Sequence, residues 1–175
     1  MVFDFIIYTD ASVCPRSGAV GAFLILSKEE YQAIITREQN FSEEIKAKIQ
    51  TTVLPHCKSS AAEFHIFLHA FNELFLRLSK HRFKINFFSD SQTLCQLVLQ
   101  RRQKLEAANF CNKQGELLRH ASLYKEVFRL CDQHDVRITK IKGHKSKKDM
   151  NSKDDVIFSL IDMAARQYMR KRSNT

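Results

Sequence analysis

Between Glu63 and Leu78 the apolar residues Ile66, Phe67, Ala70, Phe71, Leu74, Phe75 and Leu78 follow Glu63 at i+3, i+4, i+7, i+8, i+11, i+12 and i+15. That rhythm is a single continuous stripe along an α-helix and must pack against another apolar layer. The layer it needs is supplied by two apolar runs that read as strands. The first, residues 3–9, carries Phe3, Phe5, Ile6, Ile7 and Tyr8, and the second, Phe83 to Ser89, reads FKINFFS. Both runs end in an aspartate beside small residues, Asp10 and Asp90. A carboxylate at the end of a buried strand is costly unless something positive meets it. Asp10 is thus a turn former or a ligand, and Asp90 an N-cap or a ligand. Functional side chains of α/β sheets gather where strands end and helices begin, so the two aspartates share a site if their strands are neighbours.

The remaining elements fit one mixed sheet. Ala19 to Leu26 reads as a second strand after a turn at Pro15-Arg16-Ser17-Gly18, which makes a hairpin with the first. In the segment from Lys28 to Lys58, Tyr31 to Thr36 and Ile49 to Leu54 both have strand character, Ser42 to Lys48 is polar and helix-friendly, and a third strand is expected near 47–54. After the second aspartate, Ser91 to Arg101 and Glu116 to His134 read as helices and Val136 to Lys142 as a strand. A last helix covers Ser152 to Arg172, capped by Asn151 or Ser152. Strands first, then strand and helix in alternation, predict an α/β fold over residues 1–175 as a single domain, with antiparallel strands followed by parallel ones. The chain's 175 residues and 44% apolar content suffice for one core of that size.

Charge narrows the partner. The net charge is +9, and from Arg137 onward eleven basic residues stand against four acidic ones, so most of the surplus lies in the last 39 residues. A polarised basic surface favours an anionic partner such as nucleic acid. Lys145, Lys147 and Lys148 are read as phosphate contacts, while Arg170, Lys171 and Arg172 equally suit the C-terminus of a helix. The five cysteines are odd in number, widely spaced and never in a C-x-x-C pair, which argues for reduced thiols rather than a disulfide framework or a zinc site. No apolar run approaches the roughly 20 residues that span a bilayer, and a cytoplasmic location with no membrane and no obligate protein partner is expected. His65 and His69 have ligand spacing, but no third ligand is evident, and a solvated pair is the expectation.

Glu63 also allows two readings, because Ser60-x-x-Glu63 has the form of a capping box, whereas the apolar stripe turns Glu63 toward the sheet.

Taken in order, "IYTDAS", "SSAAEFHIFLHAFNEL", "INFFSDSQ", "IKGHKS" and "IDMAARQ" resemble the motifs of the type 1 ribonuclease H family, of the ribonuclease H-like fold. The resemblance implies an endonuclease that cuts the RNA strand of an RNA/DNA hybrid at a site holding two Mg²⁺ ions, with Mn²⁺ as a substitute. It also implies roles. Asp10 would bridge both ions, Asp162 would help hold the one that activates water, and Glu63 and Asp90 would hold the other. His144 would assist proton transfer or product release, and Ser12, Lys142, Lys145 and Lys147 would contact nucleic acid. Asp162 is preferred to Asp155 as the last carboxylate because the Ala-Ala-Arg run follows it, although Asp155 lies at a spacing from His144 nearer the family's usual one. The segment after the first strand, "SVCPRSGAVGAF", has only Gly18 and Gly21 where the family is glycine-rich, and the chain has no tryptophan. A nucleic-acid-binding domain that has lost catalysis, and a nuclease of the same fold acting on DNA, are the alternative functions.

Overall fold

The computed structural model describes residues 2–37, 41–76, 78 and 82–173. Strands β1 (Phe5–Cys14), β2 (Gly18–Ser27), β3 (Gln50–Leu54), β4 (Lys84–Ser89) and β5 (Asp135–Lys140) form one sheet in the order β3-β2-β1-β4-β5. The β1–β2 and β2–β3 pairs are antiparallel, and β1–β4 and β4–β5 are parallel.

Alternation along the strands divides the core between two faces. Ile7, Phe23, Ile85, Phe87 and Ile138 face helices α3 (Ser59–Leu76) and α6 (Ala121–Gln133). Ile6, Tyr8, Leu24, Leu26 and Phe88 face α1 (Lys28–Thr36), α2 (Ser42–Lys48) and α7 (Lys153–Ser173). The stripe of α3 seats as its spacing predicts: the Phe67 ring lies 4.4 Å from that of Phe87, and Phe71 stacks on the same ring at 5.8 Å. Burying each such side chain contributes about 1.5–3 kcal/mol. Helix α3 stops at Leu76, two residues before the end of the stripe, yet Leu78 still packs against this core from a bend.

Five local expectations are corrected. Tyr31 to Thr36 belongs to helix α1, opened by a capping box in which Ser27 Oγ accepts from Glu30 N–H at 3.2 Å and Glu30 accepts from Ser27 N–H at 2.8 Å. The third strand begins at Gln50 because α2 runs through Lys48. Beyond Asp90 the helix does not end at Arg101: α4 (Gln92–Gln96) passes through a π-helical turn, Leu97–Arg101, into α5 (Arg102–Ala107). Helix α6 begins at Ala121, not Glu116, since Asn112 Oδ1 accepts from the N–H groups of Gln114 and Glu116 at 2.9 Å and Cys111 bridges Leu117. A turn of that kind competes with a helical start. Strand β5 likewise ends at Lys140.

Two contacts dock the α1–α2 segment onto α7. Lys153 Nζ donates to the carbonyls of Ile34 at 3.2 Å and Ile35 at 2.7 Å, and to that of Arg37, satisfying acceptors at the end of α1. Asp154 Oδ1 accepts from Tyr8 at 2.5 Å and Tyr31 at 3.0 Å. All five cysteines are free. Among the described residues no helix is long and apolar enough to cross a membrane.

Candidate active site

Strand β1 outruns its parallel partner. Its register with β4 stops at Tyr8 opposite Phe88, while pairing with β2 continues to Cys14. Asp10 is therefore a mid-strand residue, not a turn former, and no strand flanks it on the β4 side. The gap is where the chain leaves β4 through Asp90. Helix α4 is capped by Ser91, whose Oγ accepts from Leu94 N–H at 3.2 Å, so Asp90 is left without a capping duty.

Glu63 comes from helix α3, which packs on the same face of the sheet as α4. Ala61 and Ala62 N–H both bond to the Lys58 carbonyl at 3.0 Å, which starts α3 two residues too early for Ser60 and Glu63 to form a capping box. Glu63 Oε2 is instead buried with no hydrogen-bond partner among the described residues. Gly21 sets how near α3 comes: it pairs with Ala11 on β1, and Ile66, one helical turn beyond Glu63, rests where a side chain at position 21 would be.

Ligand oxygens of Asp10, Glu63 and Asp90 lie within 4.8 Å of one another. Asp10 and Glu63 are each only 6% exposed. Carboxyls so placed resist ionisation. Burial, then the charges of Asp90 and Asp162, push Asp10 up to about 8, with the Ala11 N–H and Arg166 pulling back. Burial, then Asp10 and Asp90, push Glu63 up to about 9. Asp90 is raised as well, by burial first and by Asp162, against the pull of His144. Oxygen-only donors at this spacing, including a buried oxygen with no protein partner, fit a hard divalent cation.

Asp162, on α7, lines the same cavity of about 600 Å³ together with Ser12, Ser60, Ser91, His144 and Arg166. It stands outside the converged triad, and both of its oxygens are engaged. Oδ1 takes Arg166 Nε at 2.7 Å, and Oδ2 faces His144 Nδ1 at 3.1 Å. His144 holds a left-handed backbone, φ 54°, uncommon outside glycine, and its side chain is 64% exposed at the cavity rim. The glycine before it is required by contact, because a β-carbon on Gly143 would lie 2.1 Å from Asp90 Oδ2.

Asp155 is occupied elsewhere. Its Oδ2 accepts from Asn151 N–H at 3.0 Å and Ser152 N–H at 3.2 Å, while Ser152 Oγ accepts from Asp155 N–H at 3.2 Å. This reciprocal cap starts α7. Its Oδ1 takes Lys145 Nζ at 2.6 Å. Burial raises the Asp155 carboxyl, but Lys145 and the capping N–H groups outweigh it and hold the group below the ordinary range. Of the two candidates for the last carboxylate, Asp162 reaches the cavity. Lys145, read from sequence as a phosphate contact, is only 20% exposed and its ammonium is held by Asp155. Lys142 and Lys148 are exposed. Lys147 opens a short 3₁₀ turn, Lys147–Asp149, and its side chain lies outside the described residues. Among the described residues no third metal-ligating side chain joins His65 and His69; His69 sits edge-on to Phe23 and 4.0 Å from Glu73.

Arg166 was not singled out from sequence. Its signal was its place four residues after Asp162, on the same helix face.

A mixed five-stranded sheet with carboxylates converging from β1, α3 and the end of β4 defines the ribonuclease H-like class. The chain belongs to the RNase H family, whose model matches residues 3–160. That match stops short of Asp162, whose place at the cavity rests on the geometry alone. None of the curated protein sequences resembles this one closely enough to register as a relative. Among solved structures, the PFV RNase H domain in solution is 16% identical, with 97% of this chain and 96% of that one covered and a TM-score of 0.67. LC9-RNase H1, a type 1 RNase H with the type 2 active-site motif, is 14% identical over 98% of this chain and 74% of that one, with a TM-score of 0.67. A foamy viral protease-reverse transcriptase in complex with an RNA/DNA hybrid is 15% identical, with a TM-score of 0.68; 97% of this chain aligns, but it spans only 20% of that one. At these identities the likeness is one of fold.

Proposed function

We propose that this protein is an endoribonuclease that cuts the RNA strand of RNA/DNA hybrids, using two Mg²⁺ ions for which Mn²⁺ can substitute. The observation that carries the reading is the oxygen-only triad of Asp10, Glu63 and Asp90, within 4.8 Å, with a Glu63 oxygen buried and unpartnered, in a chain of the RNase H family. Asp10, Glu63 and Asp90 would hold one ion, and Asp10 with Asp162 the other. Bound there, the ions would supply the positive charge that activates a water and stabilises the leaving oxygen.

The chain's own residues do the rest. His144, exposed at the rim and beside Asp162, is placed to carry a proton or to assist departure of product, a role imidazole suits near neutral pH. The Ser12 hydroxyl lines the cavity and offers a hydrogen-bond partner to a substrate. Lys142 and Lys148, exposed on either side of His144, would supply the cations for substrate phosphates.

The test is cleavage of a labelled RNA/DNA hybrid beside duplex DNA, duplex RNA and single strands, with Mg²⁺ or EDTA. Hybrid-selective cleavage that needs Mg²⁺ and disappears in Asp10→Asn is expected. Full activity after thorough metal removal, or preference for duplex DNA, would overturn the proposal.

A further inference from the structure

Resting on the two-ion reading above, we propose that Arg166 is an internal cation that holds Asp162 against the second divalent ion, so that protein free of nucleic acid takes up one ion readily and the second only weakly. The four carboxylates are not equally free. Asp10, Glu63 and Asp90 converge within 4.8 Å, and Glu63 Oε2 has no partner to give up, so an ion entering there has no side-chain cation to displace. Asp162 differs, because a new ligand must compete with Arg166 Nε at 2.7 Å on one oxygen and with His144 at 3.1 Å on the other.

Charge points the same way. Two divalent ions would neutralise four ionised carboxylates, and with the guanidinium in place the second ion would bring a surplus positive charge into a buried setting. A phosphate removes that surplus. The Arg166 side chain is 44% exposed at the cavity edge, and a guanidinium forks onto phosphate oxygens as readily as onto a carboxylate. When the substrate's phosphate draws Arg166 away, Asp162 is released to the second ion. Arg166 thus couples second-ion binding to arrival of the nucleic acid.

The test is Mn²⁺ titration of the nucleic-acid-free protein, following the resonance of unbound Mn²⁺ by electron paramagnetic resonance. Arg166→Gln should bind the second ion about tenfold more tightly than wild type, the scale of a lost charge-assisted hydrogen bond, and should gain clearly less at the first ion, where only the charge of Arg166 reaches Asp10. Arg166→Lys keeps the charge and should stay near wild type, which a purely steric role for Arg166 would not give. Adding Asp162→Asn should abolish second-ion binding in either background. Equal second-ion binding in wild type and Arg166→Gln, or Arg166→Lys behaving like Arg166→Gln, would overturn the inference. Two ions of matched affinity in wild type would overturn it while leaving the two-ion reading intact. No ion bound at all would sink both.

Discussion

Gly21 of β2 lies under Ile66 of α3 so closely that a β-carbon at position 21 would stand 2.4 Å from Ile66 Cδ1 and 2.6 Å from Cγ1. Ile66 is fully buried and cannot withdraw into solvent. Gly21→Ala therefore forces α3 away from the sheet and carries Glu63 with it. Overpacking of this kind costs about 1–3 kcal/mol. A urea melt should register that loss, and hybrid cleavage at a temperature where the variant remains folded should fall further than the folded fraction explains. Undiminished specific activity would show that α3 does not set the position of Glu63.

Without metal, the protein should lose stability as pH rises. Asp10 and Glu63 titrate at about 8 and about 9 in the fold, against ordinary values of 3.8 and 4.5. Between those limits the fold holds more protons than the unfolded chain, so each step up in pH favours unfolding. Glu63→Gln removes one such group. In EDTA it should melt above wild type near about pH 8, with the difference shrinking toward about pH 5, and Mg²⁺ should stabilise wild type far more than the variant. A wild type that is the more stable of the two in EDTA at the higher pH contradicts this. In the same variant, hybrid cleavage should drop by more than the roughly 10–100-fold typical of residues that only support a metal ligand.

Asp155 and Asp162 should separate stability from catalysis. Asp155→Asn keeps an oxygen for the cap of α7 but loses the charge that meets Lys145 at 2.6 Å, a change worth about 1–3 kcal/mol. Thermal melting should fall while cleavage per folded molecule stays near wild type. Asp162→Asn should do the reverse. If Asp155→Asn is the inactive variant, the site must be rebuilt around Asp155.

Salt dependence should sort the lysines near His144. Each phosphate neutralised steepens the fall of log K with log salt by about one. Replacing exposed Lys142 and Lys148 together by Ala should flatten the slope for hybrid binding by about two. Lys145→Ala should leave the slope unchanged and lower the melting temperature instead, since its partner is Asp155. A slope unmoved by the double substitution would place the hybrid elsewhere on the surface.

The sheet, the long helix and the positions of Asp10, Asp90 and Glu63 were legible in the sequence because each rests on a local pattern: short apolar runs, period 3.6, and an acid where such a run stops or a helical stripe begins. What escaped depends on partners distant in the chain. Nothing near Asp10 reveals that β4 ends beside Tyr8 while β1 continues along β2. The fate of Lys145 was hidden because its ion pair with Asp155 spans ten residues of irregular chain. The capping box at Ser27 and Glu30 was written locally, but the β-branched and aromatic residues of Tyr31 to Thr36 pointed to a strand, and packing on β2 and β1 overrides that propensity. Arg166 acquires its role only through the helix turn that sets it over Asp162.

Lys153 reaches carbonyls 118 and 119 residues earlier in the chain, so one ammonium group closes most of the polypeptide into a ring without a covalent bond. The last turn of α1 and the first turn of α7 thereby open as a single unit, since freeing either exposes both the carbonyls and the cation. In deuterium exchange, the amides of these two turns should share one opening rate despite their separation in sequence. The segment between β2 and β3 thus serves as a brace for the helix that carries Asp162, and slack introduced there would be felt at the cavity by way of α7.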